Sequence, residues 1–280
     1  MTLDLVLTAA SGRAPAGEPL PGTPWQHRTL NLAEGPRWRG IAQALLAEPA
    51  AWQDAGFVLV LADEVEIGAT AVSELFRVMR TCGLRIAQPS LAWRSHFADP
   101  TTLHNPCFVF RHVNRVDTAA IAFSTDALRE CLGLLREVPE PALLARLLPA
   151  LQEDPLRGAV VVDGVQAERL APAAPDELAD PAWPAPLQVG GPHLESAFTW
   201  GGLGLRGRYL ALFDDTRDEL LGSLTAGYAC AVQDPQPIGE VFLQHFARSL
   251  EPAPKALSLA PPPPRLRRSP ILDHRARENA

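Results

Sequence analysis

"FVLVLADEVEIG", residues 57–68, decides how the chain is read. Phe57 to Leu61 is a short, unbroken apolar run, the pattern of a strand buried on both faces. It stops at Asp63-Glu64, and Glu66 follows two positions later. Doubly covered strands belong to sheets flanked by helices, where ligands gather at the strands' carboxyl ends. Acids at such a point are a candidate site for holding a divalent cation, Mg or Mn, against a diphosphate, and equally a solvated strand end.

The residues on either side extend the pattern. Residues 3–9 read as a first strand, "SGRAPAGEPLPG" as a long exposed loop or lid, and "HRTLNL" as a second short strand. "RWRGIAQALLAE" is an amphipathic helix with Pro36 in its first turn and Trp38, Ile41, Ala42 and Leu45 on one face. After the acids, "TAVSELFRVMRTCG" predicts a helix capped by Thr70, striped with Val72, Leu75, Phe76 and Met79, and ended by Gly83. "LRIAQPSL" is the next strand, and "CFVFRHVNRVDTAAIAFS" holds one or two more. A helix in "TDALRECLGLL", capped by Ser124 or Thr125, and a strand in "GAVVVDGV" complete the set.

This alternation predicts an α/β domain over residues 1–172, its sheet mixed but mostly parallel and flanked by helices. Residues 173–251 are expected to form a Pro-rich linker and a small helical region, with helices in "DTRDELLGSLTAGYACAV" and "PIGEVFLQHFARSLE". The Pro- and Arg-rich tail, 252–280, is expected to be disordered and available to a protein partner.

With 280 residues, 47% of them hydrophobic, the chain has ample material for a core, and its net charge of -7 argues against nucleic acid as a main partner. Lys255 is the only lysine, a usage expected of a GC-rich, bacterial genome. The N-terminal "MTLDLVLTAASG" lacks the basic flank of a signal peptide, and no apolar run approaches the roughly 20 residues needed to span a bilayer. The four cysteines show no zinc spacing; Cys82 and Cys131 fall on apolar helix faces, and a reducing, cytoplasmic setting is expected. Neither a phosphate-binding G-x-x-x-x-G-K-[ST] nor a nucleophile elbow is present, and "GGLGLRG" near residue 201 is a weak glycine-rich signal.

"ADEVEIGATAVSELFRVMRTCGLRIAQPSLAWRSHFADPTTLH", residues 62–104, followed by "FRHVNRVDTAAIAFSTDALRECL", residues 110–132, resembles the family catalogued as domain of unknown function 707. The resemblance covers about residues 36–172. That family is regarded as glycosyltransferase-like, with a GT-A nucleotide-sugar fold. It implies that Asp63 and Glu64 are the metal-binding acids, matching the second and third acids of the family's strand end. Arg37 resembles the basic residue of a basic-Trp pair, Gln88 and Ser90 match a strand end, and Arg111 and Asn114 match an R-x-x-N pair, all as candidate substrate-binding residues. Asp117 stands at an acidic position and is the candidate general base on an acceptor hydroxyl. A nucleotide sugar and an unidentified acceptor are the implied ligands.

The departures are specific. Ala62 replaces the family's first acid, and Arg169, assigned here to substrate binding, stands where the family carries a His. Guanidinium keeps its proton and offers no lone pair to a metal, so the metal site is weakened. Two consequences follow from the sequence: a transferase that uses Arg169 in place of a cation, or an inactive sugar-binding or protein-interaction module.

Overall fold

The computed structural model describes residues 3–9, 12–32, 34–138, 140–154, 157–172, 199–212 and 214–232. Ten strands and five helices occur among them. The strands are β1 (Asp4–Ala9), β2 (Trp25–Leu30), β3 (Phe57–Leu61), β4 (Val65–Glu66), β5 (Ile86–Leu91), β6 (Phe108–Val113), β7 (Ala120–Ser124), β8 (Ala159–Arg169), β9 (Thr199–Gly204) and β10 (Tyr209–Ala211). The helices are α1 (Arg37–Ala47), α2 (Ala69–Cys82), α3 (Thr125–Glu137), α4 (Pro141–Ala150) and α5 (Arg217–Val232).

The strands order as β10-β9-β6-β8-β5-β7-β3-β1-β2, with β4 added to β8 outside this path. The α/β architecture and mixed sheet are as expected, but the sheet is not mostly parallel. Only β1–β2, β1–β3 and β5–β8 pair in parallel. The remaining neighbours are antiparallel. Only a single 3-10 turn, Pro100–Thr102, separates β5 from β6, so the chain re-enters the sheet at the end where β5 leaves it, and β6 runs against β8. Residues 114–119 then bring the chain back to that same end, and β7 descends between β3 and β5.

The sheet is covered on both faces. Trp38, Ile41 and Leu45 of α1, Leu128 and Leu135 of α3, and Leu144 and Leu148 of α4 pack with Leu7, Val58, Val60 and Phe123 on one side. Val72, Leu75, Phe76 and Met79 of α2 pack with Val6, Leu59, Leu61 and Val162 on the other. Helix α2 ends at Gly83, in the left-handed region at φ 65, as its sequence requires. Its N-cap is Gly68 and not Thr70, because the backbone N–H of Ala69 already donates to the Ala16 carbonyl and starts the helix earlier. Cys131 is buried as expected, but Cys82 is exposed, being the last residue of α2 and past its packed stripe.

The sheet does not stop at residue 172. β9 pairs with β6, β10 extends the edge, and α5 packs Leu220, Leu224 and Tyr228 onto Leu91, Leu103 and Phe108. The glycine-rich "GGLG" is thus strand β9 rather than a phosphate cradle. A Cβ on Gly202 would lie 2.6 Å from the Phe110 carbonyl oxygen, so only glycine lets the two backbones approach this closely. The linker at 173–198, the expected helix at 237–251 and the tail at 252–280 lie outside the described residues. Among the described residues no helix is long and apolar enough to cross a membrane.

Candidate functional site

The carboxyl ends of β3 and β8 and the start of β7 meet at one point, and five of the expected residues meet there. Arg169, the last residue of β8, places its guanidinium 3.1 Å from the Glu64 carboxylate and 3.4 Å from that of Asp117. Arg37, at the start of α1, approaches Glu64 at 3.7 Å and donates to the Thr118 carbonyl at 2.6 Å. The Gln88 side-chain carbonyl accepts the Asp117 backbone N–H at 2.6 Å, and Asp117 in turn accepts the N–H of Ala119 at 2.8 Å. Gln88 therefore satisfies a turn in the backbone and also fixes the carboxylate beside Arg169.

The cluster is graded in exposure. The Arg169 and Asp117 side chains are 1% and 2% exposed, whereas Arg37 and Glu64 are about a quarter exposed, at 26% and 24%. The backbone holds the pair in register: Val65 is paired with Arg169, and the Leu170 N–H donates to the Glu64 carbonyl. Asp63 is exposed and lies beside the loop after β1, its Oδ1 3.0 Å from where a Cβ on Gly12 would stand.

Glu64 does not fit a divalent cation: its carboxylate already faces two guanidinium groups, each of which would repel the ion. Charge balance at this strand end is arginine against carboxylate.

The remaining expected residues lie elsewhere. Ser90 is buried, and its hydroxyl donates to the Val165 carbonyl at 3.0 Å. Asn114 is buried at the start of the crossing segment. Arg111 sits in a separate, fully buried network. Its Nε donates to Asp163 at 2.7 Å, one terminal nitrogen to the Thr101 carbonyl and the Tyr228 hydroxyl, and the other to the Leu103 carbonyl and Asp163 again. Those bonds use all five guanidinium N–H donors, leaving none for a ligand. Burial alone would lower the Arg111 guanidinium, but Asp163 and Tyr228 outweigh it and hold the group above its ordinary value. Arg111 ties α5, through Tyr228, and β8, through Asp163, to β6.

One feature escaped the sequence. A cavity of about 500 Å³ opens at the carboxyl ends of β3 and β5, floored by Leu61, Val65, Ile67 and Ala167. Arg13, from the loop after β1, pairs across it with Glu66, and Arg94, from the loop after β5, with Glu168. Its volume is in the range of small-molecule sites. Glu66 belongs to the acid cluster of the opening strand, but Arg13 and Arg94 lie in loops whose sequence gives no clue to the fold around them.

No family model matches the chain, and no curated protein matches it. Among solved structures the chain is similar to A197 from STIV, at 8% identity and a TM-score of 0.34, over 77% of this chain and 96% of that one. That degree of similarity decides neither site nor activity.

Proposed function

We propose that the protein is glycosyltransferase-like and binds a nucleoside diphosphate sugar at the carboxyl end of its sheet without a divalent cation. The observation that supports this reading is the cavity of about 500 Å³ at the strand ends where α/β sheets bind ligands, whose lining residues Val65 and Glu168 adjoin Glu64 and Arg169 in the chain. Arg37, about a quarter exposed, carries positive charge at the strand end where a metal-dependent transferase would place its cation. Preorganised cationic groups of this kind stabilise charge on a departing phosphate. Asp117, buried against Arg169, acts as a positioning residue. Glu64, the more exposed carboxylate, is the one an acceptor hydroxyl can approach.

A second reading, an inactive sugar-binding module, is favoured by one observation: Arg169 holds both carboxylates of the cluster. A thermal-shift screen of nucleotide sugars in chelator tests binding. A ligand at a hundred times its Kd adds about 2.7 kcal/mol of stability. Stabilisation accompanied by slow sugar release supports a transferase, and no stabilisation by any nucleotide sugar sinks the transferase and favours the module. The protein is placed, on this reading, in a reducing cytoplasmic setting.

A further inference from the structure

Glu66 and Glu168 are register partners across β4 and β8, so their side chains stand side by side on one face. Two carboxylates directly opposite repel, and each is neutralised by an arginine from a different wall of the cavity: Arg13 on Glu66 and Arg94 on Glu168. Both arginines line the same cavity, together with the apolar Leu61, Val65, Ile67 and Ala167. Their side chains are 75% and 74% exposed, and ion pairs this exposed are weak and cheap to exchange. Arginine binds phosphate oxygens in paired, charge-assisted hydrogen bonds, which are stronger.

We infer that this cavity is a metal-independent site for an organic diphosphate, in which Arg13 and Arg94 leave their glutamates and clamp the two phosphates. The freed Glu66 and Glu168 then face one another bare, and a ligand relieves this only by bringing hydroxyl donors. Carboxylates of this kind accept hydrogen bonds from ribose hydroxyls in nucleotide sites. The occupant that supplies anion, hydroxyls and an apolar ring together is a nucleoside diphosphate, free or as a sugar ester. This deepens the function proposed above and rests on it for the sugar alone.

The test is calorimetric titration of the full chain in chelator with uridine and guanosine diphosphates, their sugar esters, inorganic pyrophosphate and the free nucleosides. The nucleoside diphosphates are expected to bind more tightly than pyrophosphate, and the nucleosides weakly. Arg13→Ala and Arg94→Ala each weaken diphosphate binding by about tenfold or more, the loss of one charge-assisted group. Glu66→Gln and Glu168→Gln shift pyrophosphate binding the opposite way, because a competitor for each arginine is removed. A merely structural role would weaken binding in all four variants. Arginine variants that bind like the wild type, or glutamine variants that lose pyrophosphate affinity, overturn the inference. Nucleotide sugars that still bind the double arginine variant overturn the clamp and spare the transferase reading. Diphosphates that bind through the arginines with no added contribution from an attached sugar keep the clamp and remove the transferase.

Discussion

Arg169 and Asp117 form an ion pair at 3.4 Å with both side chains almost wholly buried, at the place where β8 ends and β7 begins. Removing one member of a buried pair leaves the other charge uncompensated. Arg169→Ala is expected to cost about 3–5 kcal/mol, read as a lower urea midpoint. Asp117→Asn in the same background restores part of that loss, because the stranded carboxylate is gone. A single variant as stable as the wild type would show that the pair carries no structural load.

The Arg111 network predicts how α5 is held. Tyr228→Phe removes one acceptor from a guanidinium whose five donors are all used, at a cost of about 1–3 kcal/mol. Amide hydrogen exchange should rise along α5 before it rises in β6. Uniform exchange across both elements would contradict the latch.

Gly227 gives an independent check on the same docking. A Cβ there would stand 1.9 Å from the Asn105 side-chain oxygen, and Asn105 is itself fixed by its bonds to the Leu224 carbonyl and the Cys107 N–H. Gly227→Ala is expected to destabilise by about 1–3 kcal/mol through overpacking, against a small gain for the same change at exposed Gly222, both measured by chemical denaturation.

His112 sets an acid limit. It is buried on β6 against Phe110 and Tyr209, its Nδ1 has no hydrogen-bond partner, and burial lowers its pKa to about 4. The folded state thus resists a proton that the unfolded chain accepts near the ordinary 6.5. Stability is present above that value and is lost as pH falls towards 4, by up to about 3 kcal/mol. His112→Phe should flatten this limb of the stability curve. An unchanged slope between those values would place the titration elsewhere.

Much of this fold is written locally. The Phe57–Leu61 run, the stripes of α1, α2 and α3, and the Ser124 cap, whose hydroxyl accepts the Ala127 N–H, depend on neighbours within a turn or two and were readable as such. Strand direction was not, because it depends on which end of the sheet the chain re-enters, and residues 92–107 carry no periodic signal. Helix α4, "PALLARLLPA", is buried from Ala142 to Ala150, its one charged residue Arg146 included, so no solvated polar face marks it in the sequence. In the site, Arg37, Glu64, Gln88, Asp117 and Arg169 are linked by hydrogen bonds and ion pairs, with Gln88 inside β5 and Asp117 in the loop before β7. Arg111 did not join them: a buried arginine that matches Asp163 looks, in sequence, the same as one that waits for a ligand.

The central claim is that the strand-end cavity takes a nucleotide sugar with arginine in the role of a metal. Calorimetric titration of a panel of nucleoside diphosphate sugars, first in chelator and then in excess Mn, tests it most directly. The account predicts that at least one donor binds with the same Kd in both conditions. Binding that appears only with Mn, or no binding of any donor, would contradict it.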